Sequence, residues 1–151
     1  MADTQNDIYR RILEETPEAM IWADRGGRIR FWNHAAEEVF GFTAAETIGQ
    51  RMDMIIPENL RARHWEGYDR VMVAGQPSRY GRREMLKVPA MRKDGTRVSV
   101  EFTLHALEHP EFGLIAVAVL RDASETFAEL RDLRKRLAEA EARAGDALVG
   151  R

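Results

Sequence analysis

The residue with the clearest chemical potential is a histidine placed in mid-helix. In the run Leu60-Arg61-Ala62-Arg63-His64-Trp65-Glu66-Gly67-Tyr68-Asp69-Arg70-Val71-Met72, the residues Leu60, His64, Gly67, Tyr68 and Val71 recur at helical spacing and share one face. Arg61, Arg63, Glu66, Asp69 and Arg70 lie mainly around the rest of the cylinder. His64 therefore belongs to the inward stripe, where a neutral imidazole can serve as an axial ligand to haem iron. Gly67, one turn along, leaves room for a flat macrocycle. The plain alternative is an imidazole hydrogen-bonded inside a packed core. The other histidines offer less: His34 starts a helix, His109 precedes Pro110 in a turn, and His105 falls on the polar phase of a strand.

The absence of cysteine removes disulfides, thiolate metal sites and covalent haem attachment. Ser78, Ser99 and Ser124 have no base nearby in sequence, and there is no glycine-rich phosphate loop, so an enzyme is not expected. A net charge of −2 argues against binding driven by phosphate neutralisation, hence against nucleic acid as a partner. The chain holds no apolar run long enough to span a bilayer, and its first residues are polar and acidic, unlike a signal peptide. A cytoplasmic protein is the expectation.

The elements that must position His64 follow from local signals. Thr4 to Glu15 reads as a short amphipathic helix ended by Thr16-Pro17. Strands over Ala19 to Ala23 and Arg28 to Trp32 flank an Asp24-Arg25-Gly26-Gly27 turn. Asn33 caps a helix closed by Gly41, and Thr43-Ala44-Ala45-Glu46 opens another that ends near Gly49. The helix of His64 is predicted from Pro57 to Ala74, with Gly75 as its stop. Three strands follow, over Tyr80 to Ala90, Arg97 to Leu107 and Leu114 to Arg121, the first two joined by Lys93-Asp94-Gly95. Val98, Val100, Phe102 and Leu104 alternate with polar residues, so that strand buries one face, and Val117 and Val119 are assigned to the same inner face. Such a wall suits either a ligand pocket or a packed core.

From Thr126 the composition turns to Glu, Arg, Ala and Leu. Leu130, Leu137 and Ala144 recur every seven residues, with Leu133 and Ala140 at the complementary position, which predicts coiled-coil-like dimerisation. The alternative is a single helix folded back on its own domain. Three segments result: a flanking helix over 1–16, the domain proper over 17–123, and a C-terminal helix over 124–151.

Phe31-Trp32-Asn33-His34-Ala35-Ala36, Phe40-Gly41-Phe42 and Glu46-Thr47-Ile48-Gly49 resemble the first half of PAS domains. Arg92-Lys93-Asp94-Gly95-Thr96 and Leu120-Arg121-Asp122-Ala123-Ser124-Glu125 resemble the second half. The resemblance covers about residues 8–125. It implies an α+β fold, a five-stranded antiparallel sheet with short helices on one side, plus flanking helices at both ends. Without cysteine, the flavin–cysteinyl chemistry of LOV domains and a thioester chromophore are excluded; non-covalent FAD is demanded by no motif.

Ile56-Pro57-Glu58 through Arg63-His64, with Gly81 and Arg92-Lys93-Asp94-Gly95, looks like the haem PAS domains of oxygen-sensing kinases and phosphodiesterases. That resemblance implies haem b on His64, in a pocket of Leu60, Gly67, Tyr68, Val71, Met85, Leu86, Val100, Phe102, Leu104, Val117 and Val119. Arg61, Arg63 and Arg79 become candidates for the propionates. The distal arginine of those sensors matches Leu86, with Arg82 and Arg83 nearby, and the distal methionine of some members matches Glu84, beside Met85. Leu86 implies a distal side poor in hydrogen-bond donors, favouring CO or NO, or redox switching with Met85 or Met91, over stable O2. The expected function is sensing of a diatomic gas or of redox state, passed through the C-terminal helix of a homodimer to a downstream partner. The alternative is a cofactor-free PAS interaction module, or a sensor of another small ligand.

Overall fold

The computed structural model describes residues 2–75 and 85–150 of the chain. Helix α1 (Ala2–Glu15) ends at Pro17, whose ring bars continuation. Strands β1 (Ala19–Ala23) and β2 (Ile29–Trp32) are joined by the Asp24 turn, where Asp24 Oδ1 accepts from the N–H groups of Gly26 and Arg28, both at 3.0 Å. Gly27 takes the left-handed φ of +79° that this turn requires.

Helix α2 (His34–Phe40) is capped by Asn33, a residue only 1% exposed. Its Oδ1 accepts from Ala36 N at 3.0 Å and from Met20 N at 2.9 Å. Its Nδ2 donates to the carbonyls of Leu13 and Glu18, each at 2.9 Å. One buried amide thus ties the end of α1 to β1 and to α2, with every partner satisfied. Helix α3 (Ala44–Thr47) opens on Thr43, whose hydroxyl accepts from Glu46 N. Two 3₁₀ turns, Met52–Ile55 and Glu58–Leu60, precede α4 (Arg61–Ala74), so the helix expected from Pro57 begins α-helically only at Arg61. Gly75 closes it in the left-handed conformation.

Strand β3 (Leu86–Met91) pairs with β4 (Arg97–His109) through the Lys93-Asp94-Gly95 turn, and β5 (Gly113–Asp122) leads into α5 (Ser124–Val149). The expected strand residues from Tyr80 to Glu84 lie outside the described residues. The five strands form one antiparallel sheet in the order β2-β1-β5-β4-β3. This is the expected α+β arrangement. Among the described residues no helix is long and apolar enough to cross a membrane.

Register settles which side chains face the helices. Ala19, Leu120, Phe102 and Leu86 form one row across the sheet, Ile21, Ala118 and Leu104 the next, and Ala23, Ala116 and Ala106 a third. All of these but Leu86 join Phe40, Tyr68 and Met72 from the helices in or against a single core. Val117 lies between Trp22 and His105, and Val119 between Met20 and Thr103, on the opposite face. Their assignment to the inner wall is corrected: the inward residues of β5 are Leu114, Ala116, Ala118 and Leu120. Helix α5 buries none of its residues, so it does not fold back on its own domain.

Candidate ligand site around His64

Helix α4 is fastened to the β1–β2 turn at three places. The Tyr68 hydroxyl donates to the Asp24 carbonyl, and Arg25 Nη1 donates to the Met72 carbonyl at 3.3 Å. The Trp65 ring lies over Gly27 so closely that a Cβ there would sit 2.2 Å from two ring carbons. Trp65 Nε1 donates to Asp53 Oδ1 at 2.7 Å, and the Arg51 guanidinium covers the indole at 4.2 Å from its centroid. These contacts set the rotation of the helix. Tyr68 and Met72 form its buried centre, while Gly67 and Val71 stand half-buried at the edge of the stripe. A Cβ on Gly67 would meet nothing within 4 Å among the described residues.

His64 clusters with Trp65 and Tyr68, at centroid distances of 4.7 and 5.9 Å, the latter two being 5.4 Å apart. Its Nδ1 is buried and has no hydrogen-bond partner among the described residues. Burial pushes the imidazole below its ordinary pKa; Asp53 opposes that shift and Arg51 adds to it. The ring is thus held neutral, the form that ligates metal. Burial, then the carboxylates of Asp24 and Asp69, push the Tyr68 phenol up, leaving it a hydrogen-bond donor at any physiological pH. The other histidines are engaged or remote. His34 meets Glu37 and Glu38, His109 Nδ1 accepts from the N–H groups of Glu111 and Phe112, and His105 is on the far face of the sheet.

The inner face is covered unevenly. Alanines and Leu120 of β5 are buried, as is Val100, but Leu86, Phe102 and Leu104 remain half-exposed, as does Leu60 beside α4. Val88, paired with Val100, and Met85 are each 41% exposed. A cleft of about 580 Å³ is lined by Ile56, Pro57, Glu58, Asn59, Arg61, Met91 and Arg97, and neither His64 nor the wall residues Leu86, Phe102 and Leu104 belong to that lining. Arg61 Nε donates to the Ile56 carbonyl at 3.2 Å, whereas Arg63 is exposed on α4. Arg79, Gly81, Arg82, Arg83 and Glu84 lie outside the described residues. No cluster of three or more His, Asp or Glu gathers among the described residues. A lone imidazole is insufficient for a bare metal ion and sufficient for one that brings its own macrocycle.

A family model described as PAS fold matches residues 7–123. The chain belongs to the PAS family. It is 31% identical over 140 residues to the sensor protein FixL of Bradyrhizobium diazoefficiens, covering 89% of this chain and 26% of that protein. It is 29% identical over 135 residues to the oxygen sensor protein DosP of Escherichia coli, covering 89% of this chain and 16% of that one. Among solved structures, the PAS domain of a protein from Colwellia psychrerythraea superposes with a TM-score of 0.66 at 17% identity, over 80% of this chain and 98% of that one. The chain spans about a quarter or less of the length of these curated relatives.

Within this PAS domain, sequence reasoning missed the part that Asp24, Gly27, Arg51 and Asp53 play in holding α4 in place, and the bonds by which the Asn33 cap also ties α1 and β1 together. Their one visible signal is the Gly26-Gly27 pair, where the second glycine gives Trp65 its seat.

Proposed function

We propose that this sensory PAS domain holds b-type haem, with His64 as the axial ligand, and responds to a diatomic gas or to redox state. The observation that carries the reading is the half-buried His64, whose buried Nδ1 has no hydrogen-bond partner among the described residues, in a fold whose inner wall is left partly uncovered at Leu86, Phe102 and Leu104. The match to an oxygen sensor over most of this chain supports it. When bound, haem supplies an iron with a position open to a small ligand.

The chain's own groups have separable duties. His64 offers a neutral nitrogen from a helix that Trp65 and Tyr68 prevent from rotating. Leu60, Tyr68, Val100, Phe102 and Leu104 would shield a bound macrocycle from water. Arg61 and Arg97, which line the cleft, are candidate partners for the propionates. Leu86 carries no donor, so the wall at that point favours CO or NO over a stably held O2. Met85, one residue before β3, offers a thioether for a redox-dependent exchange of ligand.

The route outward is also built into the chain. Phe102 and Leu104 pair with Leu120 and Ala118, and β5 continues through Asp122 into α5. Asp122 Oδ1 accepts from Ser124 N at 2.8 Å, while its Oδ2 meets Arg92 at 3.0 Å. Burial opposes ionisation of Asp122, but the hydrogen bonds from Ser124 and the Arg92 charge prevail and hold its carboxyl below the usual range. A shift of the wall is thereby presented at the start of α5.

The test is titration of the purified protein with haem, followed by absorption in the ferric, reduced and CO-treated states. One haem per chain, with a sharp Soret band that moves on reduction and again with CO, is the expected result. A broad, free-haem spectrum at every ratio would leave a PAS interaction module or a sensor of another ligand.

A further inference from the structure

Asp24 holds more than its own turn, because all three of its oxygens are in use. The carbonyl accepts from Gly27 N at 2.9 Å and from the Tyr68 hydroxyl. Oδ1 accepts from the N–H groups of Gly26 and Arg28, and Oδ2 from Arg30 Nε at 2.9 Å. The hydroxyl of α4 therefore shares the carbonyl that closes the turn, and two amides fix the carboxylate that Arg30 reaches. The side chains of Asp24 and Arg30 are 14% and 30% exposed, which sets this pair apart from the open surface pairs that contribute next to nothing.

Arg30 has a second engagement. Its guanidinium carbon lies over the Phe112 ring, 4.6 Å from the centroid, in the turn between β4 and β5. Phe112 stacks on His109, with centroids 4.9 Å apart, and His109 Nδ1 takes the N–H groups of Glu111 and Phe112. Among the described residues, the side-chain hydrogen bonds of this turn are thus internal to it. Arg30 is the charged group laid across it from another element. One planar guanidinium meets a carboxylate fastened to α4 and an aromatic ring at the far turn, a double duty suited to arginine.

We infer that Arg30 is a positioning residue that couples α4 to the β4–β5 turn: a displacement of Tyr68 moves the Asp24 peptide, and Arg30 carries it to Phe112. The coupling does not depend on what the pocket holds. It runs away from α5, because β5 extends ten residues from this turn to Asp122 before α5 begins. The helix that bears His64 thereby acts on the end of the sheet opposite α5.

The test is a double-mutant cycle between Tyr68→Phe and Phe112→Leu, read by urea unfolding, in the parent and in an Arg30→Met background. No aromatic or hydrogen-bond contact joins Tyr68 to Phe112 among the described residues. Independent sites multiply to within about twofold in the unfolding equilibrium constant. The double variant is expected to depart from the product of the single effects by at least about threefold, and to return to within about twofold of it once Arg30→Met is present. The amide resonances of Glu111 and Phe112 give a second readout: Tyr68→Phe is expected to shift both in the parent and neither in Arg30→Met. Arg30→Met keeps the aliphatic stem, and Arg30→Gln serves the same comparison if circular dichroism shows that Arg30→Met does not fold. Single effects that simply multiply in the parent, amides that ignore Tyr68→Phe, or a coupling that survives loss of the guanidinium would each overturn the inference.

Discussion

Gly27→Ala tests how α4 is held. Gly27 has a φ of +79°, where an L side chain costs about 1–2 kcal/mol. The added Cβ would also sit 2.2 Å from two carbons of the Trp65 ring, so the indole must leave its seat. Its departure breaks the 2.7 Å bond to the Asp53 carboxylate, a loss of about 1.5–3 kcal/mol for a bond to a charged group. The Arg51–indole contact goes with it, about 0.5–1 kcal/mol at a partly exposed site. The total is about 3–6 kcal/mol, a large fraction of a small domain's stability. Urea unfolding followed by far-ultraviolet circular dichroism reads it. Gly49→Ala is the control: Gly49 has a φ of +86° but nothing within 4 Å of its absent Cβ, so only about 1–2 kcal/mol should be lost. In a Trp65→Ala background the excess cost of Gly27→Ala should vanish. Equal losses in the two glycine variants, or an excess that survives without Trp65, would refute the argument that the indole's seat anchors the helix.

Asn33→Ala removes four hydrogen bonds and leaves the buried N–H of Ala36 and the part-buried groups of Met20, Leu13 and Glu18 without their partner; a loss of about 3–5 kcal/mol in the same urea assay is expected. Tyr68→Phe deletes only the bond to the Asp24 carbonyl and should cost about 1–2 kcal/mol while keeping the fold's circular dichroism. Asp122 has a folded pKa below its ordinary 3.8, so its contribution is fully present above that value and lost as pH falls through the lower folded one. Asp122→Asn should therefore flatten the acid limb of the stability–pH profile below about pH 4, with little effect on its slope near neutrality.

The local punctuation of the fold was legible because it is local chemistry. The Asn33 and Thr43 caps, the glycine stops at Gly41 and Gly75, and the Asp94-Gly95 turn each act within a few residues of themselves. What failed was phase where alternation is missing. Leu114 to Leu120 is an unbroken apolar run, and both of its faces are largely buried, so pattern cannot choose between Val117 and Ala118 as the inward residue. Pairing with β1 and β4 makes that choice, and pairing is long-range. The inward stripe of α4 was legible in outline, including His64 and Tyr68. Its final rotation depends on Trp65 finding Gly27 across 38 residues of chain, which helical spacing does not encode. Asn33 was readable as a cap but not as a hub, because three of its four bonds reach outside its own helix.

His64→Gly, examined with added haem and with and without imidazole, asks whether the His64 imidazole is the proposed haem ligand. The variant is expected to lose the sharp Soret band of the parent, and millimolar imidazole, entering the space left by the side chain, to restore it. A variant that keeps the parent spectrum without imidazole would mean that another group binds the iron and would overturn the assignment of His64.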